Sequence, residues 1–542
     1  MKKIIDLVMV VVFSNMFSLN VQPVNLSVTH VDPRPAARIL WINPVVPSPL
    51  QEITRAWNLQ ETDDVNLSTI HLSVAQPDEF LSKETKLSIR WFYVLVTPFP
   101  TLTTGISEKE FHQIWQGERA GPFDGHPILM DKATSDALSL RWGAPARGSI
   151  QIVPEEELLD KAWDSMPSWA IIPFENIQPR WKVLEIGGQS PIHEGFDENT
   201  YPLVMDFTLS SDQHLNGINL PASNRDPAKF TSLIMTGVTA LTRATAHRME
   251  QKGVTYPGEE VRDILLDADL THISNEVPFY SGCPEPNPKQ EKEVFCSSTR
   301  YMELLTHVDA DIIELTGNHF GDFGPKAMLE SLAMYDEQGM PHYGGGADLD
   351  DSLQPLKLEN HGNKIAFIGC NEPDVGSFPT ATETRPGAAP CDFEYMSGKI
   401  KELTEQGYLV IATFQWSEGP TPIPYVDQVK TFRLMVDSGA VIVNGSQAHI
   451  PQIMEFRDDS FIHYGLGNLW FDQTGGKGSW IQQREFIDRH VFYDGRYLGV
   501  ELITTFLEDY SRPRLMTEEE RADFLTEYFE LSGWLSPGGS KP

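Results

Sequence analysis

From residue 231 onward, strand-like and helix-like runs alternate with a regularity that leaves few architectures open. TSLIMTGVTAL precedes GEEVRDILLDA, DADIIEL precedes PKAMLESLAMYDEQG, KIAFIGC precedes SGKIKELTEQG, YLVIATF precedes VDQVKTFRLMVDSG, and AVIVNG closes the series. Short β-branched runs bounded by turn formers predict strands, and the longer runs with apolar residues at helical spacing predict helices. Helices that recur between strands pack outside a central sheet structure, which is a layered α/β architecture. No repeat of solenoid or propeller period is present.

The 542 residues exceed what one hydrophobic core usually organises, so two domains and a small appendage are expected. LSSDQHLNGINLPASNRDPAK, residues 209–229, is polar and turn-rich and marks the boundary. Ahead of it, residues 30–220 carry ARILWINPVV and KLSIRWFYVLV as strands and QEITRAWNLQ as a helix. ISEKEFHQIWQGE predicts another helix, because Ser107 and Glu110 make a capping box ahead of an apolar face of Phe111, Ile114 and Trp115. GSIQIV adds a strand, and WAIIPFENIQPRWKVLEIGG adds two more split by a proline-containing turn, so this region is expected to be an α/β domain of its own. Residues 221–505 are expected to form the larger layered domain and 506–542 a C-terminal helical tail. The first 29 residues read as a signal-like or anchor segment and linker, with two lysines ahead of the apolar run Leu7 to Phe13. Asp6 and Asn15 interrupt the pattern and no small-x-small cleavage site follows. A cleaved signal, an uncleaved membrane anchor and a chance apolar start therefore stay open, with export the favoured reading.

Asp and Glu number 76 against 42 Lys and Arg, and the resulting formal charge of -34 opposes nonspecific binding to nucleic acid or anionic lipid. No nucleic-acid partner is expected, and the aromatic clusters in RWFYVLV and GNLWFDQ read as core. The four cysteines fall as two local pairs, Cys283 with Cys296 and Cys370 with Cys391, although other pairings and free thiols are compatible with the sequence. None forms a CxxC, so neither a structural zinc site nor a redox motif is indicated. GGGADLDD, residues 344–351, lacks the Lys and Ser/Thr of a phosphate cradle and reads as a turn.

In open α/β folds the loops after strand C-termini meet in a crevice. Here they are TGVTALTR, HISNEVPF, ELTGNHFGDFG, TFQWSEGP, VNGSQAHIPQ and HYGLGNLWFDQ. Taken in this order they resemble the CapA family of poly-gamma-glutamate capsule biosynthesis proteins, whose fold is related to the calcineurin-like metallophosphatases. The resemblance covers about residues 231–475 and rests on Gly237 with Val238, Ser274 to Glu276, Gly317 to Asp322, Gln415 to Glu418, Gly445 to His449, and Leu466 to Asn468. It implies a layered α-β-β-α domain with a metal-assisted site. Val238 stands where the family places a metal-binding Asp, and Gln415 and Gln447 stand where it places histidines. Without those groups a two-metal site lacks its bridging anion and enough imidazole. The remaining donors, Glu276, Asn318, His319 and His449, suit one divalent ion, zinc or manganese. Gln415, Gln447, Arg243 and Asn468 are candidate ligand-binding residues, and Glu418 and His449 are candidate catalytic acid–base groups. Each residue also has a structural explanation: Asn318 and the nearby glycines in a turn, Asp322 as a helix cap, the histidines hydrogen-bonded in the interior, and Glu276 paired with Arg243. Two histidines, an Asn and a Glu at corresponding loops favour a polar ligand pocket, with or without an ion.

SEKEFHQIWQGE and WAIIPFENIQPRWKVL make residues 30–220 similar to type 2 periplasmic solute-binding proteins of the phosphate-binding branch. Together the resemblances imply an exported extracellular or cell-surface protein that assists synthesis or attachment of an anionic capsular polymer. Its partners would be that polymer and membrane-bound capsule machinery, and any turnover would be a metal-dependent hydrolase or transferase-like step. A non-catalytic surface protein that binds polymer or a small-molecule ligand is one alternative. A solute sensor acting through residues 30–220 is the other.

Overall fold

The computed structural model describes residues 37–535 apart from 76–84, 194, 212–214, 216, 373–379, 420 and 474–479. The signal-like segment and the last seven residues, 536–542, lie outside the described residues. Three large sheets organise the rest.

The first is centred on Thr85–Pro98, which pairs with Val204–Ser211 on one side and with Ala170–Pro173 and Trp181–Val183 on the other. Every side chain from Trp91 to Val96 is buried, as expected of a strand covered on both faces. The helix Glu108–Trp115 begins at the expected capping box. There the Ser107 Oγ accepts from the Glu110 N–H at 3.2 Å, and Glu110 Oε2 accepts from the Ser107 N–H at 2.8 Å. Its buried face is Phe111, Ile114 and Trp115.

The other two sheets pack face to face. In one, Phe230–Thr239 pairs in parallel with Leu270–Asn275, which pairs with Ile312–Glu314; on the opposite edge Arg484–Tyr493 and Arg496–Glu508 follow antiparallel. In the other, Asn363–Asn371, Leu409–Gln415 and Ala440–Ser446 run parallel. The period of two along each strand assigns the faces. Leu233, Met235 and Ile312 share one buried cluster with Ile365, Phe367, Ile411 and Ile442 of the facing sheet. Their sequence neighbours Ile234 and Ile313 pack against the helices Arg243–Lys252 and Gly324–Gln338. Ala366, Val410, Ala412 and Val443 do the same with Phe393–Glu405 and Val426–Asp437. The order is helix, sheet, sheet, helix, the α-β-β-α layering that was expected, and the chain as a whole is mixed α/β.

Two elements depart from expectation. GEEVRDILLDA yields only the short helix Arg262–Leu266, because Tyr256–Gly258 closes a 3-10 turn just ahead of it. Residues 506–515 are not helical: Arg496–Glu508 and Arg512–Leu515 continue the sheet, and the helix Glu518–Leu531 starts behind a Thr517–Glu520 capping box. That helix places Phe524, Leu525, Tyr528 and Phe529 in the core between the sheets. Phe99, just past the central strand of the first sheet, reaches the same core. Its ring lies between 4.9 and 6.0 Å from those of Phe456, Phe461, Phe529 and Trp534. Both local cysteine pairs are disulfides, Cys283–Cys296 and Cys370–Cys391, with Cα separations of 5.8 and 5.0 Å. Among the described residues no helix is long and apolar enough to cross a membrane.

A polar network interrupts the apolar filling between the sheets. His272 Nε2 lies 2.8 Å from the Tyr343 hydroxyl, which lies 3.0 Å from Thr413 Oγ1, and the Thr316 hydroxyl donates to Glu314 at 2.7 Å. Burial raises the Glu314 carboxyl above its ordinary range against the opposing hydrogen bonds of Thr316, Thr413 and Ser274, and burial pushes His272 down to about 3. The imidazole is therefore neutral, and its 3.6 Å contact with Glu314 is not an ion pair. An acid that keeps its proton in the fold but releases it when unfolded loses about 1.4 kcal/mol of stability per pH unit above its unfolded pKa, until the folded group also titrates. Glu314→Gln removes that loss. The variant is expected to gain on wild type as pH rises from 5 to 7, read as the difference in urea midpoints. A gap that does not change with pH would mean that Glu314 is ionised in the fold.

Candidate functional site

The parallel strands of both sheets end at one edge, where Ser274 and Ser446 face each other across the sheets at 3.5 Å between hydroxyl oxygens. The loops that leave this edge bring Glu276, Asn318, Gln415 and Gln447 together. Glu276 follows Leu270–Asn275 directly and its N–H donates to Thr239 O at 2.9 Å. The loop carrying Asn318 can lie flat on it because residue 317 is glycine, and a Cβ there would overlap the Glu276 backbone. From the opposite sheet, Gln415 Nε2 donates to Glu276 Oε1 at 3.1 Å, to Asn318 Oδ1 at 3.0 Å and to Gln447 Oε1. An amide nitrogen has two hydrogens, so three oxygens crowd a position that can satisfy two of them. Glu276 Oε2 and Gln415 Oε1 are buried without a hydrogen-bond partner among the described residues. Buried oxygens left so are costly, by about 1–3 kcal/mol each, unless water, an ion or a ligand meets them.

The two histidines flank this cluster, and each is held by one nitrogen. His319 Nδ1 lies 2.7 Å from Asp322 Oδ2, and its ring rests 4.5 Å from that of Phe295. His449 Nδ1 donates to Asn468 Oδ1 at 2.8 Å, while Asn468 Nδ2 returns a bond to the His449 carbonyl at 3.1 Å. Fixing Nδ1 in this way orients the ring and leaves Nε2 for a ligand or proton. His449 Nε2 faces Glu418 Oε1 at 3.6 Å. Burial works to lower both imidazoles, yet both end above their ordinary value. For His319 the Asp322 bond and the Glu276 charge prevail, and for His449 the Glu418 bond, the Glu276 charge and the Asn468 bond. Glu418, half-exposed, is held below the usual carboxylate range by its bond to His449. The Glu276 charge thus reaches both rings, and Glu276, His319, His449 and Glu418 share one neighbourhood.

The backbone is also unusual here. Arg243, Gln447 and His449 have φ of 46°, 81° and 52°, a left-handed region that side chains other than glycine adopt only when their surroundings enforce it.

Two sequence expectations need correction. Arg243 does not pair with Glu276: its guanidinium is 2.7 Å from Asp472, reaches Gln473 at 3.0 Å and lies over the rings of Phe295 and Phe471. Asp322 does not cap the helix Gly324–Gln338, because its Oδ2 accepts from His319 and from the Phe295 N–H. Asn468 bonds through its side-chain oxygen and nitrogen to the His449 ring and carbonyl and to the Gln473 carbonyl, which orients that ring. Sequence reading missed Asp472, Phe295 and Phe471 altogether. Asp322, three residues after His319, was the one visible hint of an orienting partner.

The donor set decides what ion could sit here. Val238 is 1% exposed and packs with Ala240, Val277, Phe295 and Phe471, so an apolar cluster occupies the flank where a second ion would need an anion. Among the described residues no group of three or more His, Cys, Asp or Glu side chains is gathered closely enough to hold a metal ion. Half of the donors are amides. With a valine and two glutamines in place of an anion and two imidazoles the set does not suit a pair of ions, and the two partnerless oxygens are where a cation or a ligand's donor would find partners.

Comparison with known proteins follows the same loops. Residues 232–473 match the family model described as bacterial capsule synthesis protein PGA_cap. The chain is 26% identical over 263 residues to the PGA biosynthesis protein CapA of Bacillus subtilis (strain 168), a match that covers 48% of this chain and 65% of the relative. It is 23% identical over 258 residues to the capsule biosynthesis protein CapA of Bacillus anthracis, covering 47% of this chain and 62% of that one. Each match thus spans less than two thirds of the relative's own length. Similar solved structures include the NAD nucleotidase of Haemophilus influenzae, with a TM-score of 0.32, 9% identity, and coverage of 55% of this chain and 56% of that one. An ABC-type phosphate transport receptor from Vibrio cholerae matches with a TM-score of 0.29 and 8% identity, over 33% of this chain and 88% of that one.

Proposed function

We propose, from the match of residues 232–473 to the PGA_cap capsule-synthesis family model, that this protein assists synthesis or attachment of an anionic capsular polymer of poly-gamma-glutamate type, through the hollow at the strand ends. The observation that carries the reading is the convergence of Glu276, Asn318 and Gln447 oxygens on the Gln415 amide, beside two imidazoles already oriented by Asp322 and Asn468. The relatives' capsule-related names support the choice of polymer.

In this reading one divalent ion, zinc or manganese, would draw Glu276, Asn318, His319 and His449 together as ligands, a set that is not preassembled among the described residues. Such an ion, when bound, polarises a carbonyl or phosphoryl oxygen. Gln415 and Gln447 present donors and acceptors to a substrate amide without changing charge. Glu418, held low by its bond to His449, accepts a proton, and His449, its ring held by Asn468, could relay that proton through Nε2 only while that nitrogen is off the ion. Two disulfides support an oxidising, exported location at the cell surface, where membrane-bound capsule machinery would be the partner. Residues 30–220 serve as an accessory α/β domain of solute-binding type beside the catalytic region of 221–505.

Metal analysis tests this reading. The purified full-length protein is expected to carry about one zinc or manganese ion per chain, and His319→Ala and His449→Ala each to lower occupancy about ten-fold or more. Full occupancy in both variants would remove the ion from this site. A second reading, polymer binding without turnover, is favoured by Gln415 and Gln447, which cannot titrate. Chelated protein that still binds poly-gamma-glutamate with undiminished affinity would select it.

A further inference from the structure

A cavity of about 590 Å³, lined by none of Glu276, Asn318, Gln415 and Gln447, lies where the first sheet meets Arg496–Glu508 and the C-terminal helix. Much of its wall is apolar, with Phe99, Leu502, Leu525 and Phe529 on it. Volume and lining are those of a small-molecule site, mostly apolar with a few placed polar groups. Two cations are set side by side into that wall. Lys182 Nζ donates to the Thr101 carbonyl at 2.6 Å, and Arg521 Nη1 donates to the next carbonyl, Leu102, at 2.9 Å.

Neither is ion-paired to a carboxylate among the described residues. Of the acids on the cavity wall, Glu501 is engaged through both oxygens by His193, at 2.8 and 3.0 Å, and Asp267 by Arg489 at 2.8 Å. Burial, then the charge of Arg521, pull the Lys182 ammonium down to about 7 against the pull of Glu501, and burial alone lowers Arg521. Both side chains are only partly exposed, and an anion placed between them would favour the charged form of each. They also stand out in a chain whose formal charge is -34.

We propose that this cavity binds a small amphipathic monocarboxylate, its two oxygens shared between Lys182 and Arg521 and its hydrocarbon body lying along Phe99, Leu502, Leu525 and Phe529. A single negative charge is the better match, because Glu185, Asp263, Asp267 and Glu501 also line the cavity and oppose a phosphate dianion. The site draws on residues from both the first sheet and the C-terminal helix, so occupancy would brace the two against each other.

Calorimetric titration of the full-length protein with octanoate tests the proposal, with 1-octanol, octylammonium and inorganic phosphate as comparison ligands. Octanoate is expected to bind saturably and to raise the melting temperature, with the other three at least about ten-fold weaker. Lys182→Met and Arg521→Gln are each expected to weaken octanoate about ten-fold or more, Lys182→Arg to retain it, and Leu525→Trp to exclude it by filling the space. His449→Ala is expected to bind octanoate as wild type does, which separates this cavity from the strand-end hollow. Equal binding of octanol and octanoate, undiminished binding in Lys182→Met and Arg521→Gln, or no octanoate binding by a folded wild type would each overturn it. Should Lys182→Met and Arg521→Gln fail to fold, the ligand series and Leu525→Trp still decide.

Discussion

Val238→Asp is expected to lower stability by about 3–5 kcal/mol, although an acid at that place is what a two-metal relative would use. The side chain is 1% exposed and touches an apolar group of Ala240, Val277, Phe295 and Phe471. A carboxylate there has no cation to receive it, since Arg243, stacked on the same two phenylalanines, is already bound to Asp472. It must either take up a proton or unfold its surroundings. Gln415 and Gln447 still stand where a second ion would require imidazole, so added zinc is expected to return little of the loss. Urea denaturation with chelator and with zinc measures both quantities. A loss under about 1 kcal/mol would show that packing does not bar an acid from this flank.

Phe99→Ala is expected to be as damaging, at about 3–5 kcal/mol, because a large buried ring is removed from a site that cannot collapse around the gap. Its four aromatic neighbours come from the strand pair Met454–Arg457 and Ser460–His463 and from the C-terminal helix with Trp534 just beyond it. The ring is thus a peg from the first sheet into the core between the other two. Limited proteolysis should show the helix Glu518–Leu531 cut earlier in the variant than in wild type, alongside a shifted urea midpoint. Unchanged cleavage with a shifted midpoint would mean that the peg steadies the sheets but not the helix.

Much of this architecture is written in local pattern. The alternation of Leu233, Ile234 and Met235 between inner and outer faces is a period-two signal any reader of the sequence can follow, and so is the Ser107–Glu110 capping box. The order of the loops made Glu276, Asn318, His319, Gln415, Gln447 and His449 legible as a group, since strand C-termini share an edge in this kind of fold. Pairings across long sequence separations were not legible. Arg243 with Asp472 and His449 with Asn468 depend on which loops happen to touch, and no local pattern encodes that. The sheet strand at Arg512–Leu515 was missed for a related reason: it is held by pairing with Arg496–Glu508, and its own four residues carry almost no strand signal.

The two disulfides have one more consequence. Cys283–Cys296 ends beside Phe295, the ring that braces His319, and Cys370 precedes Asn371, the strand-mate of Gln415. Both staples therefore grip the rim of the hollow, while the first sheet has none among the described residues. Newly made chains still carrying thiols would reach the right overall shape with a slack mouth. Oxidation would then act as a maturation step that firms the mouth and, by closing loops of 13 and 21 residues, adds about 3 kcal/mol each to stability.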